Sequence, residues 1–133
     1  MIVLLDTNVL VDLGTYRLDP QASYGASILS RAELELGIRA ARSSVQAAER
    51  RRHLNALDDR FDWIEFDLDC TRSYGLLAAQ AKGRVAGSRV RGKDALIAAQ
   101  AHRHGAAVMT ENVDDFHPFS ELVPVLSPRP TTT

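Results

Sequence analysis

The stretch Ile2-Val3-Leu4-Leu5-Asp6-Thr7-Asn8 decides the fold that we predict for this chain. Its first four residues are apolar at every position, a pattern typical of a short strand buried on both faces in the middle of a parallel sheet. Apolar residues after Asn8 can line one side of a short helix that ends before Gly14. Asp6 then follows a central strand, at the sheet edge where open α/β folds bind ligands. Taken alone, Asp6 is explained more simply as a helix N-cap.

Length and composition indicate one globular domain without covalent cross-links. The chain has 133 residues, of which 45% are hydrophobic and 25% charged, and its net charge of −1 gives no overall attraction to nucleic acid. A single cysteine, Cys70, excludes an internal disulfide and fits a reducing cytosol. The apolar run at the N-terminus is cut at Asp6 and lacks a preceding basic region, so we expect no signal peptide. No stretch is long enough to span a membrane, and we predict a cytoplasmic protein.

Strand-like and helix-like segments alternate along the chain. Strands are predicted at residues 2–5, 24–29, 63–66, 106–110 and 123–126, the last at a sheet edge because of Pro124. Helices are predicted from Ser30 onward and at 45–57, 68–85 and 93–104, with loops at 15–23 and 87–92. This order predicts an α/β fold, a three-layer α/β/α sandwich with a mainly parallel central sheet. We assign residues 1–127 to the domain and expect residues 128–133 to be a disordered tail.

Four acidic residues fall just after a predicted strand or at the start of a predicted helix: Asp6, Glu33, Asp94 and Asp115. Each has a structural explanation, since Ser30 and Glu33 could form a capping box, Asp94 lies in a first helical turn, and Asp115 could belong to a turn. In a doubly wound sheet, however, these places converge on one rim. Crowded carboxylates repel unless a cation neutralises them, and an all-oxygen ligand set selects Mg²⁺ or Mn²⁺. No pairing of the histidines with cysteines offers a zinc site.

Arginines supply nearly all of the positive charge, in two clusters. A solvated helix face is the default interpretation of Arg50-Arg51-Arg52, with contact to RNA or a partner as the alternative. Arg89, Arg91 and Lys93 lie just ahead of Asp94, where they could take phosphates of a single-stranded or looped RNA.

Four motifs in register resemble the PIN-domain ribonucleases, and most closely the VapC toxins of bacterial toxin–antitoxin pairs. They are Asp6-Thr7-Asn8, Glu33-Leu34 with Gly37, Asp94-Ala95-Leu96-Ile97-Ala98-Ala99, and Thr110 through Asp115-Phe116, and together they span about residues 2–126. The resemblance implies that Asp6, Glu33, Asp94 and Asp115 are the catalytic, metal-binding acids, and that Thr7 and Thr110 are polar residues supporting the site and its substrate. It selects Asp115 rather than Asp114. Glu111 departs from the family, in which a basic residue is frequent at that position.

The same resemblance implies a function and partners. The implied function is that of an Mg²⁺-dependent endoribonuclease, for which Mn²⁺ is a possible substitute. Its cleavage would leave a 5′-phosphate and inhibit translation or growth. The implied partners are a cognate antitoxin protein and a second copy of the chain in a homodimer. Two other interpretations remain open. A receiver-type phosphotransfer module would need an acidic pair near the first strand and a lysine after the last one, and the chain has neither. A PIN-like module that binds RNA or a partner without cutting would have no need of all four acids.

Overall fold

The computed structural model describes residues 1–84 and 92–131. The strands are β1 (Ile2–Leu5), β2 (Tyr16–Arg17), β3 (Ser23–Ser27), β4 (Trp63–Ile64), β5 (Ala107–Met109), β6 (Val125–Leu126) and β7 (Arg129–Pro130). The α-helices are α1 (Thr7–Val11), α2 (Ile28–Arg39), α3 (Ser44–Arg60), α4 (Leu68–Arg84), α5 (Gly92–Arg103) and α6 (Val113–Phe116). Single 3₁₀ turns occupy Leu13–Thr15 and His117–Phe119.

The main sheet has five strands in the order β4-β3-β1-β5-β6, and all of its strand pairs are parallel. β1 lies at its centre, between β3 and β5, and β6 lies at an edge, both as predicted from the sequence. The β1 side chains alternate between the faces of the sheet, since Leu4 packs into one hydrophobic cluster while Val3 and Leu5 pack into the other. The predicted three-layer α/β fold is therefore confirmed.

Helices cover both faces of the sheet. One cluster joins Leu4 to the small side chains of α5, among which Ala95, Ala98 and Ala99 are at most 1% exposed. The other joins Val3 and Leu5 to residues of α1 and of α3. α5 ends in a Schellman motif at Gly105, whose φ of +63° is readily adopted only by glycine, and Ala106 N–H donates to the carbonyl of Ala101 at 2.8 Å. The short connection from α5 to β5 is thus fixed by local backbone bonds.

The start of α2 differs from the prediction. The helix begins at Ile28, and Ser27 is its N-cap, with an Oγ that accepts the Leu29 N–H at 3.0 Å. Either serine could cap a helix on sequence grounds, but Ser27 is where the β3 pairing ends, so the chain turns there. The predicted capping box of Ser30 and Glu33 is wrong. Ser30 lies inside the helix and is buried, and its hydroxyl is not used as the N-cap.

A second, two-stranded sheet was not predicted. β2 lies in the predicted loop and β7 in the predicted disordered tail, yet they pair antiparallel, Tyr16 opposite Pro130 and Arg17 opposite Arg129. The bond from Thr131 N–H to the Thr15 carbonyl, 2.9 Å long, extends the pairing. The prediction of a tail without structure is wrong for 129–130, because backbone bonds rather than buried side chains hold it. Residues 132 and 133 lie outside the described part.

Smaller differences concern the ends of elements. β4 stops at Ile64 and β6 begins only at Val125, so both are shorter than predicted. The predicted turn at 112–116 contains the four-residue helix α6. Across the part of the chain that the structure describes, no helix is long and apolar enough to cross a bilayer.

Candidate active site

Asp6 lies at the carboxyl end of β1 and is only 3% exposed. Its Oδ1 accepts the Thr7 N–H at 2.8 Å, and its Oδ2 accepts the Thr110 hydroxyl at 2.9 Å and the Asn8 amide at 3.3 Å. The backbone N–H of Asp6 donates to the Met109 carbonyl at 2.9 Å. Groups from two adjacent strand ends therefore fix the direction of this carboxylate, so it acts as an N-cap and as a central site residue together.

Thr7 connects the start of α1 to α2. Its Oγ1 lies 2.8 Å from Ser30 Oγ and 2.8 Å from Glu33 Oε1. A hydroxyl has one proton and an ionised carboxylate only accepts, so Thr7 donates to Glu33 and the Ser30 hydroxyl donates to Thr7. Ser30 thus orients a residue that orients Glu33. The sequence analysis missed this role, since Ser30 carried the same signal as any helix-capping serine.

Lys93 and Asp94 begin α5 beside these acids. Asp94 is 4% exposed, and Lys93 Nζ makes a 3.0 Å ion pair with Glu33 Oε2. Burial alone would lower the pKa of Lys93, but the bond to Glu33 and the charges of Glu33, Asp6 and Asp94 outweigh it and raise that pKa. The ammonium therefore experiences three carboxylates that come from three different elements. The ion pair brings the start of α5 next to Glu33, and the joint role of these acids stays a prediction.

The loop after β5 contributes the other predicted residues. Thr110 is fully buried, and its Oγ1 accepts the Asn112 N–H at 3.0 Å while it donates to Asp6. Asp115 is half-buried and Asp114 is exposed. Phe116, next to Asp115, is 1% exposed and packs in the core. Phe116 is thus the apolar anchor on which the choice of Asp115 over Asp114 depends. The role of Asp115 itself stays a prediction.

Glu111 is held by two contacts. Its N–H donates to Asn8 Oδ1 at 3.1 Å, and its Oε2 accepts the hydroxyl of Tyr16. That hydrogen bond first, then burial and the charge of Glu111, raise the pKa of Tyr16 to about 12. Asn8 orients both Asp6 and Glu111. The sequence analysis included Asn8 in the motif Asp6-Thr7-Asn8 but assigned it no role. No sequence signal identified Tyr16, which belongs to the unpredicted strand β2.

Of the predicted basic residues, Lys93 is exposed and pairs with Glu33, so its contact with phosphate stays a prediction. Arg89 and Arg91 lie outside the described residues. Arg50 and Arg52 are exposed and Arg51 is half-buried, which fits the default interpretation of a solvated face, but two of the three also contact α2. Arg50 donates to the Gly37 carbonyl at 2.5 Å, and Arg51 pairs with Glu35 at 2.6 Å. These arginines hold α3 against α2.

A divalent cation fits this donor set, although no ready-made cage is present. Within residues 1–84 and 92–131, no three His, Cys, Asp or Glu side chains lie close enough together to form one. Mg²⁺ does not need one, because it keeps several of its waters and binds through one or two carboxylates. Lys93 already supplies one positive charge to Glu33. Asp6, with its fixed direction, and the buried Asp94 are the best-placed protein ligands.

Comparison with known proteins agrees with this geometry. The family model of the PIN domain matches residues 3–121, and the chain belongs to the PIN-domain family. It is similar to Ribonuclease VapC4 of Mycobacterium tuberculosis, with 35% identity over 115 residues, which are 84% of this chain and 86% of that protein. Family and likeness together support a ribonuclease, a hydrolase.

Two solved structures share the fold. A crystal structure of VapBC-5, a toxin–antitoxin system of Mycobacterium tuberculosis, matches with a TM-score of 0.77 and 28% identity, over 96% of this chain and 98% of that one. The structure of VapBC2 from Rickettsia felis bound to a promoter DNA fragment matches with a TM-score of 0.78 and 24% identity, over the same 96% and 98%. The second likeness shows the fold alone.

Proposed function

We propose that this protein is the endoribonuclease toxin of a VapBC-type toxin–antitoxin pair and hydrolyses RNA phosphodiester bonds with Mg²⁺ or Mn²⁺. The observation that carries the proposal is the chain of contacts that joins the acids at the carboxyl edge of the sheet. Thr7 donates its N–H to Asp6 and its hydroxyl to Glu33, and Glu33 pairs with Lys93, which directly precedes the buried Asp94. Family membership supports the same reading.

Asp6 and Asp94 would hold the metal, with Glu33 and Asp115 completing the site directly or through water. A divalent cation bound there lowers the pKa of a coordinated water and stabilises negative charge on phosphate oxygens. Thr110 and Asn8 keep the Asp6 carboxylate in one direction, which a metal ligand requires. Thr7 does the same for Glu33.

Lys93 would change partners when metal and RNA bind. Its ammonium neutralises the acids as long as no other cation does, and it is then able to donate to a phosphate oxygen of the substrate. Attack by water, rather than by the ribose 2′-hydroxyl, would leave a 5′-phosphate. Inhibition of translation or growth would follow from the cleavage of a cellular RNA in the cytoplasm.

The first test is cleavage of RNA by the purified chain in Mg²⁺ and in Mn²⁺, with and without EDTA. Asp6→Asn and Asp94→Asn should each lower the rate by about 100-fold or more, because a metal ligand is lost. Their circular dichroism should stay that of the wild type, since each change also relieves repulsion between carboxylates. Asp114→Asn removes one negative charge from an exposed neighbour and serves as the matched control.

Two results would contradict the proposal. Cleavage by Asp6→Asn at the wild-type rate would remove this acid from the mechanism. A wild-type chain that binds RNA yet does not cut it in either metal would favour the alternative, a catalytically silent PIN-like module that binds RNA or a partner.

The proposed protein partner is an antitoxin, as in the VapBC complexes of the relatives. A cavity of about 460 Å³ lies between α1, α2 and α3, and is lined by Thr7, Val11, Glu33, Leu34, Gly37, Glu49, Arg50, His53 and Leu54. Its walls are apolar next to acids, which suits an apolar segment carrying an arginine or lysine. Such a cation would compete with Lys93 and metal for Glu33. The homodimer implied by the family resemblance stays a prediction.

A further inference from the structure

Two arginines face each other across the small second sheet. Arg17 of β2 and Arg129 of β7 are directly opposed partners in an antiparallel pair, so their side chains leave the same face of this sheet. Both are exposed, and both line one cavity of about 720 Å³. The opposition of like charges at this position is unfavourable in the protein alone, because directly opposed residues hold their Cβ atoms only about 5 Å apart.

The described residues do not relieve this repulsion. Neither guanidinium makes an ion pair or a hydrogen bond within residues 1–84 and 92–131. The acid among the residues lining the cavity is Asp19, whose Oδ1 accepts the Gln21 N–H at 2.9 Å. Two neighbouring guanidinium groups are suited to a phosphate, which offers several acceptor oxygens to their fork-shaped donors. The pair therefore points to an anionic ligand.

Below the arginines the cavity is mostly apolar. Its lining includes Val3, Met109, Val125 and Leu126 of the main sheet and the ring of Tyr24, whose hydroxyl accepts the Asp19 N–H at 2.8 Å. An aromatic ring in an apolar cavity of several hundred Å³ suits an unstacked base. A simple inorganic anion would need only the arginines. An anion with an attached flat ring, which is a nucleotide, would use both parts.

The cavity adjoins the candidate active site. Ser127 lines it and also lines a polar cavity of about 430 Å³ that contains Glu111 and Asp115. Arg17 directly follows Tyr16, which is hydrogen-bonded to Glu111. A single RNA strand leaving the acids would reach the arginines within a few nucleotides. An acidic peptide could satisfy the arginines too, but it would bring no flat ring for the apolar part.

We propose that Arg17 and Arg129 bind a phosphate of the single-stranded RNA that flanks the cleaved bond, and that a base next to this phosphate enters the cavity beneath them. The inference rests on the proposed function, since it names where the substrate of that site continues. It assigns RNA binding to a sheet that contains none of the predicted site residues.

The test measures RNA binding without cleavage, so that catalysis does not affect the result. Fluorescence anisotropy of a labelled single-stranded RNA of mixed sequence is recorded in EDTA over a range of salt concentrations. Arg17→Ala/Arg129→Ala should raise the Kd by about 10-fold and make the dependence of log K on log salt less steep by about 0.7, for the one phosphate that is no longer neutralised. Arg39→Ala/Arg42→Ala also removes two exposed arginines and should change the Kd by less than about 2-fold.

A second arm tests the base. An abasic strand of the same length should bind the wild type more weakly than the RNA, and Arg17→Ala/Arg129→Ala should reduce this difference. A polyglutamate peptide should not displace the RNA at matched charge concentration, and if it does, an acidic protein rather than RNA is the ligand. Arg17→Gln/Arg129→Gln repeats the measurement with long uncharged side chains, in case the alanine variant disturbs the small sheet.

The outcomes separate the two proposals. Equal Kd changes for the two arginine pairs, or no change at Arg17 and Arg129, would overturn the inference even in a chain that cuts RNA. A wild-type chain that does not cut RNA in either metal, but loses binding with Arg17 and Arg129, would reject the proposed nuclease and keep this RNA site.

Discussion

At the residue scale, Asp6 has a structural role that does not account for all of its contacts. The helix-cap explanation is correct, since its carboxylate accepts the Thr7 N–H at 2.8 Å. The same carboxylate accepts the hydroxyl of Thr110, 104 residues away in sequence. A cap needs only the first bond. The second bond orients the carboxylate relative to the neighbouring strand end, where a ligand would bind.

The choice between Asp114 and Asp115 is a residue-scale prediction. Asp115 is half-buried beside the core residue Phe116, whereas Asp114 is exposed, so the surroundings of Asp115 restrict its side chain more. Asp115→Ala should weaken Mg²⁺ binding or turnover by about 10-fold or more, as expected for a ligand or for a residue that orients one. Asp114→Ala should change the free energy of unfolding by no more than about 0.5 kcal/mol, as an ordinary surface substitution does.

Mg²⁺-dependent cleavage by the two single variants is the measurement, with denaturant unfolding to compare their stability. Asp6→Asn serves as the reference for a complete loss and should be more damaging than either. An inactive Asp114→Ala together with a fully active Asp115→Ala would reverse the assignment.

The positions of the candidate acids in the fold were easier to predict from the sequence than the residues that contact them. Asp6, Glu33 and Asp94 could be placed because carboxylates after strands or at helix starts meet at one rim in a parallel fold. Ser30 and Tyr16 could not be placed, because their roles depend on contacts between segments distant in sequence. The pairing of Lys93 with Glu33 was missed for the same reason.

At the element scale, ion pairs hold the helix that carries Glu33. Arg31 of α2 binds both carboxylate oxygens of Asp58 on α3, at 2.8 and 2.9 Å, and Arg51 of α3 binds Glu35 of α2 at 2.6 Å. The indole N–H of Trp63 donates to Asp58 at 2.8 Å, which adds β4 to the network. The position of Glu33 relative to the sheet therefore depends on the packing of α2 against α3.

This network predicts how stability responds to acid. The hydrogen bond from Arg31 lowers the pKa of Asp58 below its ordinary value of 3.8, and the hydrogen bond from Arg51 lowers that of Glu35 below 4.5. A lowered carboxyl pKa means that the folded state binds the proton more weakly than the unfolded state. The stabilisation is therefore present at neutral pH and is lost as the pH falls from about 4.5 through the lower pKa values of the folded state.

Asp58→Asn tests this prediction. At pH 7 it should reduce the free energy of unfolding by about 0.5–1 kcal/mol, the upper range for a screened, partly exposed pair. At a pH below the lowered folded-state pKa of Asp58 the difference from the wild type should vanish, because Asp58 is then protonated in both states. Asp59→Asn, at the exposed neighbouring position, should show no such pH dependence. A deficit at Asp58 that is equally large at both pH values would mean that packing, not charge, holds the two helices.

Elements built by side-chain burial were predictable, and those built by backbone pairing were not. The fully apolar β1 and the alanine-rich α5 were placed within a residue of their observed ends, because burial imposes a pattern on the sequence. β2 and β7 bury little and have no such pattern, so they were assigned to a loop and a tail. The start of α2 moved by two residues, since adjacent strand pairing decided which serine caps the helix.

At the scale of the whole molecule, a net charge of −1 conceals a separation of charges. The acids lie at the carboxyl edge of the main sheet, and the opposed arginines Arg17 and Arg129 lie on the second sheet beside it. Such a surface attracts a polyanion only where the arginines and a bound metal offset the acids, which suits a nuclease that must exclude most of the RNA it meets. It also makes the acidic site a target for a basic group of an inhibitor.

The last prediction concerns the chain in a living cell. If it is the toxin of its pair, expression without an antitoxin should slow the growth of a bacterial host, because cleavage of a cellular RNA would stop protein synthesis. Asp6→Asn should remove this effect while keeping the fold, since the lost negative charge lies in a cluster of acids. Asp114→Asn carries the same change of charge at an exposed position and should remain as harmful as the wild type.

Growth curves should be compared at matched amounts of soluble protein, measured by immunoblot, so that a poorly folded variant is not mistaken for an inactive one. Equal growth of cells producing the wild type and Asp6→Asn would reject the toxin role. Cleavage of RNA by the purified wild type would then still support the nuclease, because toxicity also requires that the right RNA be present in the host. Slow growth with both proteins would instead show a harm that does not depend on the acidic site.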